Sequence, residues 1–98
     1  MTIITLKKFG TTLLSRQSGR KDFLSLQSMI GNLSKDEIIT VDFEGVNTFS
    51  PSWGDEFLTP LLDRLGNRLV LLPSDNLSVQ ATLNILEEAN KKTFIIKD

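Results

Sequence analysis

Apolar and polar residues alternate from Thr2 to Lys8, and Gly10 follows. A period of two predicts a first strand, with Thr11 to Leu14 as a second strand after a tight turn, so that an antiparallel hairpin opens the domain. From Ser18 the period changes. Phe23, Leu26, Ile30 and Leu33 recur at three- and four-residue spacing, which places them on one helical face, with Ser18 as cap and Gly31-Asn32 as the unwinding end. Glu37 to Phe43 is β-branched and closely apolar with little alternation, the pattern of a strand covered on both faces in the middle of a sheet.

The chain then turns through Glu44-Gly45-Val46-Asn47-Thr48-Phe49, and Ser50-Pro51-Ser52 carries the chemistry of a helix start. A hydroxyl can cap, proline is harmless where its missing N–H has no partner, and Asp55 and Glu56 are expected in the first turn. Trp53, Phe57, Leu61 and Leu65, with Leu58 and Leu62, supply the buried stripe of this second helix. Gly66 is a natural stop, and Pro60 predicts a bend near Glu56. Arg68 to Leu72 reads as a strand. Val79, Thr82, Leu83, Leu86 and Ala89 read as a third helix whose end carries Lys91 and Lys92, and Thr93 to Lys97 as an edge strand. This alternating order predicts an α/β fold with one domain over residues 1–98. Its sheet should be mixed, of four or five strands, with about three helices packed on it.

Composition narrows the chemistry. At 98 residues, 40% of them hydrophobic, the chain has apolar surface for one core and no room for a second domain. It has no Cys and no His, which excludes disulfides, thiol nucleophiles, Cys/His zinc sites, a Ser-His-Asp triad and imidazole proton shuttles. Eleven basic against 12 acidic residues give a net charge of -1, so no global field draws nucleic acid or anionic lipid. The longest apolar run, Leu69 to Leu72, is far short of the roughly 20 residues of a membrane helix. The first ten residues lack a signal peptide's apolar centre. The expectation is a cytoplasmic protein without membrane or nucleic-acid partners. Charge is nevertheless segregated, with Lys7, Lys8, Arg16, Arg20 and Lys21 preceding any acid, and Asp42, Glu44, Asp55, Glu56 and Asp63 forming an acidic series with no base among them.

The richest stretch is Val41 to Phe57, where a strand end, a glycine turn and a hydroxyl-rich helix start meet. Such carboxyl ends gather functional sites in open α/β sheets. Ser50 and Ser52 can cap the helix, with Ser52-x-x-Asp55 resembling a capping box. Either can also carry a phosphoryl group welcomed by the helix dipole. Asp42 is suited to accept backbone N–H groups in the turn ahead. Trp53 is either core or, if exposed, a partner hot spot. Arg16 and Arg20 are either solvated or within reach of Asp55 or Glu56. No spacing couples a nucleophile to a base, so a binding module is expected rather than an enzyme, with no metal or cofactor.

Asp42-Phe43-Glu44-Gly45-Val46, Phe49-Ser50-Pro51-Ser52-Trp53 and Asp55-Glu56-Phe57 resemble the signature of STAS-like domains, relatives of the sulfate-transporter and anti-sigma-factor-antagonist fold. Ser15-Arg16 and Gly19-Arg20 are similar to that family's Ser-Arg and Gly-Arg steps before the first helix. The resemblance makes Arg16, Arg20, Asp42 and Gly45 structural motif positions. In the antagonists an Asp-Ser-Ser-Gly step opens the second helix and its second Ser is phosphorylated by an ATPase kinase. Here that step reads Ser50-Pro51-Ser52-Trp53 and puts the phosphorylatable position at Ser52, with Ser50 the second candidate. The resemblance implies a regulatory module that presents Asn47, Ser50, Ser52, Trp53, Asp55 and Glu56 to a protein partner such as a histidine-kinase-like ATPase. The alternative is a sensor that binds a nucleotide or other small anion at the second helix N-terminus. The last strand is also free to pair across a homodimer.

Overall fold

The computed structural model describes residues 2–97. Its strands are β1 (Thr2–Thr5), β2 (Thr12–Leu13), β3 (Ile39–Asp42), β4 (Thr48–Phe49), β5 (Leu69–Leu71) and β6 (Ile95–Ile96). Its helices are α1 (Arg16–Gly31), α2 (Pro51–Leu65) and α3 (Leu77–Asn90). The chain is α/β, as the alternating order predicts, with β3 inside the sheet and β6 at its edge. The main sheet has the order β1-β3-β5-β6, and every pairing in it is parallel.

The opening hairpin and the mixed sheet do not form. A 3-10 turn at Leu6–Phe9 and Gly10 carry the chain away from β1, and β2 pairs in parallel with β4 in a separate two-stranded ribbon. The ribbon outcompetes a hairpin because Leu13 and Phe49 are then both buried, whereas a hairpin would retain only local pairing.

Each crossover from β1 to β3, β3 to β5 and β5 to β6 advances in the same direction across the sheet. Right-handed crossovers that never reverse direction put all their helices on one face. α2 accordingly packs between α1 and α3 in one layer. Ile4, Ile39, Val41, Leu69 and Leu71 point into this layer and are buried. No residue of α1, α2 or α3 lines the depression on the opposite face, yet Ile39, Thr40 and Val41 are all buried, so the central strand is shielded on both sides as expected, by helices on one and by side chains of the neighbouring strands on the other.

Local chemistry sets the helix ends. Ser15, not Ser18, caps α1, its Oγ accepting from the Ser18 N–H at 3.0 Å. Ser50 caps α2 and Pro51 is its first residue, but Asp55 and Glu56 lie beyond the first turn. The helix continues through Pro60 to Leu65 and stops at Gly66, whose φ of 57° suits a residue without a side chain. Of the residues expected at the end of α3, Lys91 caps in the left-handed region, Lys92 pairs with Asp63 of α2, and Ala89 is exposed.

Under α2 lies an aromatic core. Trp53 stacks on Phe57 with centroids 4.6 Å apart, meets Phe49 edge-on at 5.8 Å, and has Phe9 at 6.4 Å. The Trp53 side chain is 0% exposed, which corrects its candidacy as a partner contact. Two glycines admit the packing around it. A Cβ on Gly19 would lie 2.5 Å from the Trp53 carbonyl oxygen, and one on Gly54 would lie 2.9 Å from Leu86 Cδ1. Trp53→Ala should therefore cost about 3–5 kcal/mol of unfolding free energy, and Gly19→Ala about 1–3 kcal/mol because the clash is with backbone. Urea denaturation followed by far-UV circular dichroism measures both; a Trp53→Ala loss below that of an ordinary surface substitution would show that the indole is not core.

Candidate functional site

The segment from Asp42 to Glu56 forms a tip at the carboxyl end of the main sheet, and most of its polar groups are consumed in holding it there. Asp42 Oδ1 accepts the Glu44 N–H at 2.9 Å, as expected, and the Val46 N–H returns to the Phe43 carbonyl at 3.0 Å. Gly45 supplies the positive φ of this turn, 83°, and the Lys7 stem lies against it where a Cβ would stand.

The ribbon then anchors the segment to the β1–α1 connection. Asn47 and Thr48 donate backbone N–H groups to the Thr11 carbonyl, and the Ser50 N–H donates to Leu13 at 2.9 Å. From the other side, Asn76 Nδ2 donates to the Val46 and Asn47 carbonyls, both at 3.0 Å, while its Oδ1 caps α3 through the Ser78 and Val79 N–H groups. Ser78 Oγ accepts the Phe49 N–H, and Thr82 Oγ1 donates to the Phe49 carbonyl at 2.6 Å. Asn76 was not among the residues the sequence singles out. Its signal was present, since Asn76-x-Ser78 immediately before an apolar helical period marks a cap.

The two serines have separate fates. Ser50 Oγ donates to the Leu14 carbonyl at 2.6 Å and accepts the Trp53 N–H at 3.2 Å, so a phosphoryl group there would remove the proton that ties it to Leu14. Ser50 is a structural residue and caps α2 alone: the residue three positions on is Trp53, so the capping box expected of Ser52 and Asp55 does not form. Ser52 is exposed, and its hydroxyl has no hydrogen bond among the described residues. For a small anion, the first turn offers little. Pro51 has no N–H, the Trp53 N–H is taken by Ser50 Oγ and the Gly54 N–H by the Ser50 carbonyl, leaving Ser52.

Beside Ser52, Arg16 crosses from the start of α1 to both acids of α2, reaching Asp55 Oδ2 at 3.2 Å and Glu56 Oε2 at 2.6 Å. Asp55 Oδ1 also accepts from Thr59 Oγ1 at 3.2 Å. The basic and acidic blocks thus meet through Arg16, whose pKa is raised by its hydrogen bonds to Asp55 and then Glu56. Arg20 makes no ion pair among the described residues; it lines a groove between α1 and α2 with Asp55, Glu56 and Asp63. The exposed surface of the tip is therefore Glu44 and Gly45 in the turn, Asn47, Pro51 and Ser52, and the outer edges of Arg16, Asp55 and Glu56. No cluster of three or more acidic side chains among the described residues is arranged to hold a metal, and no helix among them is long and apolar enough to cross a membrane.

Among the described residues one buried side-chain polar atom is left over. The Trp53 Nε1–H meets no acceptor at hydrogen-bond geometry. The Asp22 carboxylate on α1 feels that indole dipole from beyond true bonding geometry. Burial raises the Asp22 pKa above 3.8, while the indole N–H and Lys21 pull it back down. No family model, curated protein or solved structure matches the chain.

A carboxyl whose folded pKa is raised costs stability when it ionises. The penalty is absent at pH values below its ordinary 3.8 and complete above its folded value. Asp22→Asn should raise the melting temperature at pH 7 and lose that advantage as the pH falls below the ordinary aspartate range. Calorimetric melts at neutral and strongly acidic pH test this; an equal gain at both would assign the effect to packing.

Proposed function

We propose that this protein is a non-enzymatic regulatory module of STAS-like type that docks a protein partner on the tip built from Asn47, Ser52, Asp55 and Glu56. The observation that carries the reading is the division between the two serines. One is locked into the fold, while the other holds an unengaged hydroxyl in solvent in the first turn of α2. A rigid scaffold that presents one free hydroxyl beside a charged rim suits recognition by a modifying partner, and the resemblance in Asp42-Phe43-Glu44-Gly45-Val46 and Phe49-Ser50-Pro51-Ser52 points to a histidine-kinase-like ATPase.

A phosphoryl group on Ser52 adds about -1.5 to -2 charge at neutral pH. Asp55 and Glu56 follow at the third and fourth positions along the helix, the spacing of side-chain neighbours. The new charge would repel both acids and compete with them for Arg16. Modification would thus rewrite the electrostatics of the docking surface while leaving the aromatic core beneath it in place.

Incubation with histidine-kinase-like ATPases of the host and ATP should add one phosphate by intact mass to the wild type and to Ser50→Ala, and none to Ser52→Ala. Ser52→Asp should weaken binding to the same ATPase at least about tenfold in titration calorimetry. Unchanged binding by Ser52→Asp would move the interface off the tip.

A further inference from the structure

We propose that the protein forms a two-fold dimer through the face of its main sheet that the helices leave open. All-parallel sheets are otherwise found with both faces covered, because their strands carry apolar residues on each side. Here no helix covers one side, although the neighbouring strands already leave Thr40 at its centre only 4% exposed. The register sets Ile3, Thr40, Val70 and Ile95 in a single row across four strands. Ile3 is 55% exposed and Ile38 beside it 38%, at a depression of about 320 Å³ that these residues line.

The occupant is argued from charge and shape. Alternation along the strands puts Asp42, Leu72 and Lys97 on this same face, one row further toward the carboxyl end. Asp42 Oδ1 is used by the Glu44 N–H, and neither Asp42 nor Lys97 has an ion pair among the described residues. A two-fold axis parallel to the strands, between β3 and β5, sets β1 against β6 of a second copy and β3 against β5. Ile3 then covers Ile95 of the second copy, and Thr40 covers Val70. Asp42 falls diagonally opposite Lys97 of the second copy, and the symmetry makes this pair twice. With sheets about 10 Å apart and strands about 4.8 Å apart, that diagonal is within reach of a lysine stem. The chain's own residues complete both the apolar and the charged parts of the contact, as an isologous interface requires.

Strands of only two to four residues offer a small contact, so the dimer should be weak and form at concentrations of about tens of micromolar or above. It differs from pairing through the β6 edge, which would leave Ile3 and Val70 in water.

Sedimentation equilibrium of the full chain from about 10 μM to 1 mM should show a reversible monomer–dimer equilibrium. Val70→Lys and Lys97→Glu should each weaken it at least about tenfold, the first by placing a charge at the centre of the contact and the second by setting Glu against Asp42. Ile96→Lys, on the helix side at the sheet edge, should leave it unchanged. Lys97→Glu and Ile3→Lys keep the test valid if Val70→Lys does not fold. A dimer that resists these variants lies elsewhere and overturns the proposal. A monomer throughout the range also overturns it and assigns the open face to a foreign segment, such as an amphipathic helix.

Discussion

The direction of the chain's crossovers is the constraint from which the architecture follows. Three right-handed connections all step the same way across β1-β3-β5-β6. Helices so placed share one face, and α2, entering from the central strand, becomes the middle of the layer. That is why the largest of the fully buried side chains, Trp53, Phe49 and Phe57, gather around α2. Gly19 and Gly54 give α1 and α3 the close approach this burial needs. A sheet wound one way also has no point at which its strand order reverses, the usual place for a small-molecule crevice in an open α/β sheet. At its carboxyl end stands a hydrogen-bonded tip instead.

Much of this was legible in the residues. The three- and four-residue spacing in Phe23, Leu26 and Ile30, the Ser50-Pro51 start and the Gly66 stop each fix a helix through short-range physics, and the structure agrees with them. The carboxylate of Asp42 was readable as a turn acceptor for the same reason. Strand partnership was not readable. Thr11 to Leu14 looks equally strand-like whether it folds back on β1 or lies beside β4, and the choice turns on whether Leu13 and Phe49 can be buried together, a matter of residues far apart in sequence. The helix-free face was hidden by the same limit. Ile38 and Val70 are as apolar as residues that a second helix layer would cover, so composition alone did not tell cover by helices from cover by neighbouring strands.

At the tip, sequence reasoning named the right residues and misassigned some of their roles. Ser50, Ser52 and Trp53 stand within four positions of one another, yet one is a bolt, one is free and one is core. A helix start rotates successive side chains by about 100°, so neighbours in sequence face different surroundings. Ser50 precedes the helix and turns back to Leu14, Ser52 faces water, and Trp53 faces the aromatic core. Arg16 and Arg20 were read as either solvated or within reach of Asp55 or Glu56, and it is Arg16 that makes the contact. It takes both acids because Ser15 starts α1 three residues earlier than Ser18 would, which brings Arg16 into the first turn.

The tip and the open sheet face are distinct surfaces joined at Asp42. Its carboxylate holds the Glu44 turn through one oxygen, while strand alternation directs the residue toward the outer face of the sheet. Ser52 and Arg16 lie on the helix side of the fold, above α2 and α1. A partner on Ser52 and a second copy on the sheet would therefore approach from opposite sides, and neither would have to displace the other. Coupling between them would have to pass through β3 and its turn, where Asp42, Gly45 and the Asn76 carboxamide leave the backbone little freedom. A segment pinned that tightly transmits little movement, so the two surfaces should bind nearly independently, and a dimer would gain two docking tips at once. Its gain for a partner would be avidity, through a second tip held nearby, rather than a change in the shape of either site.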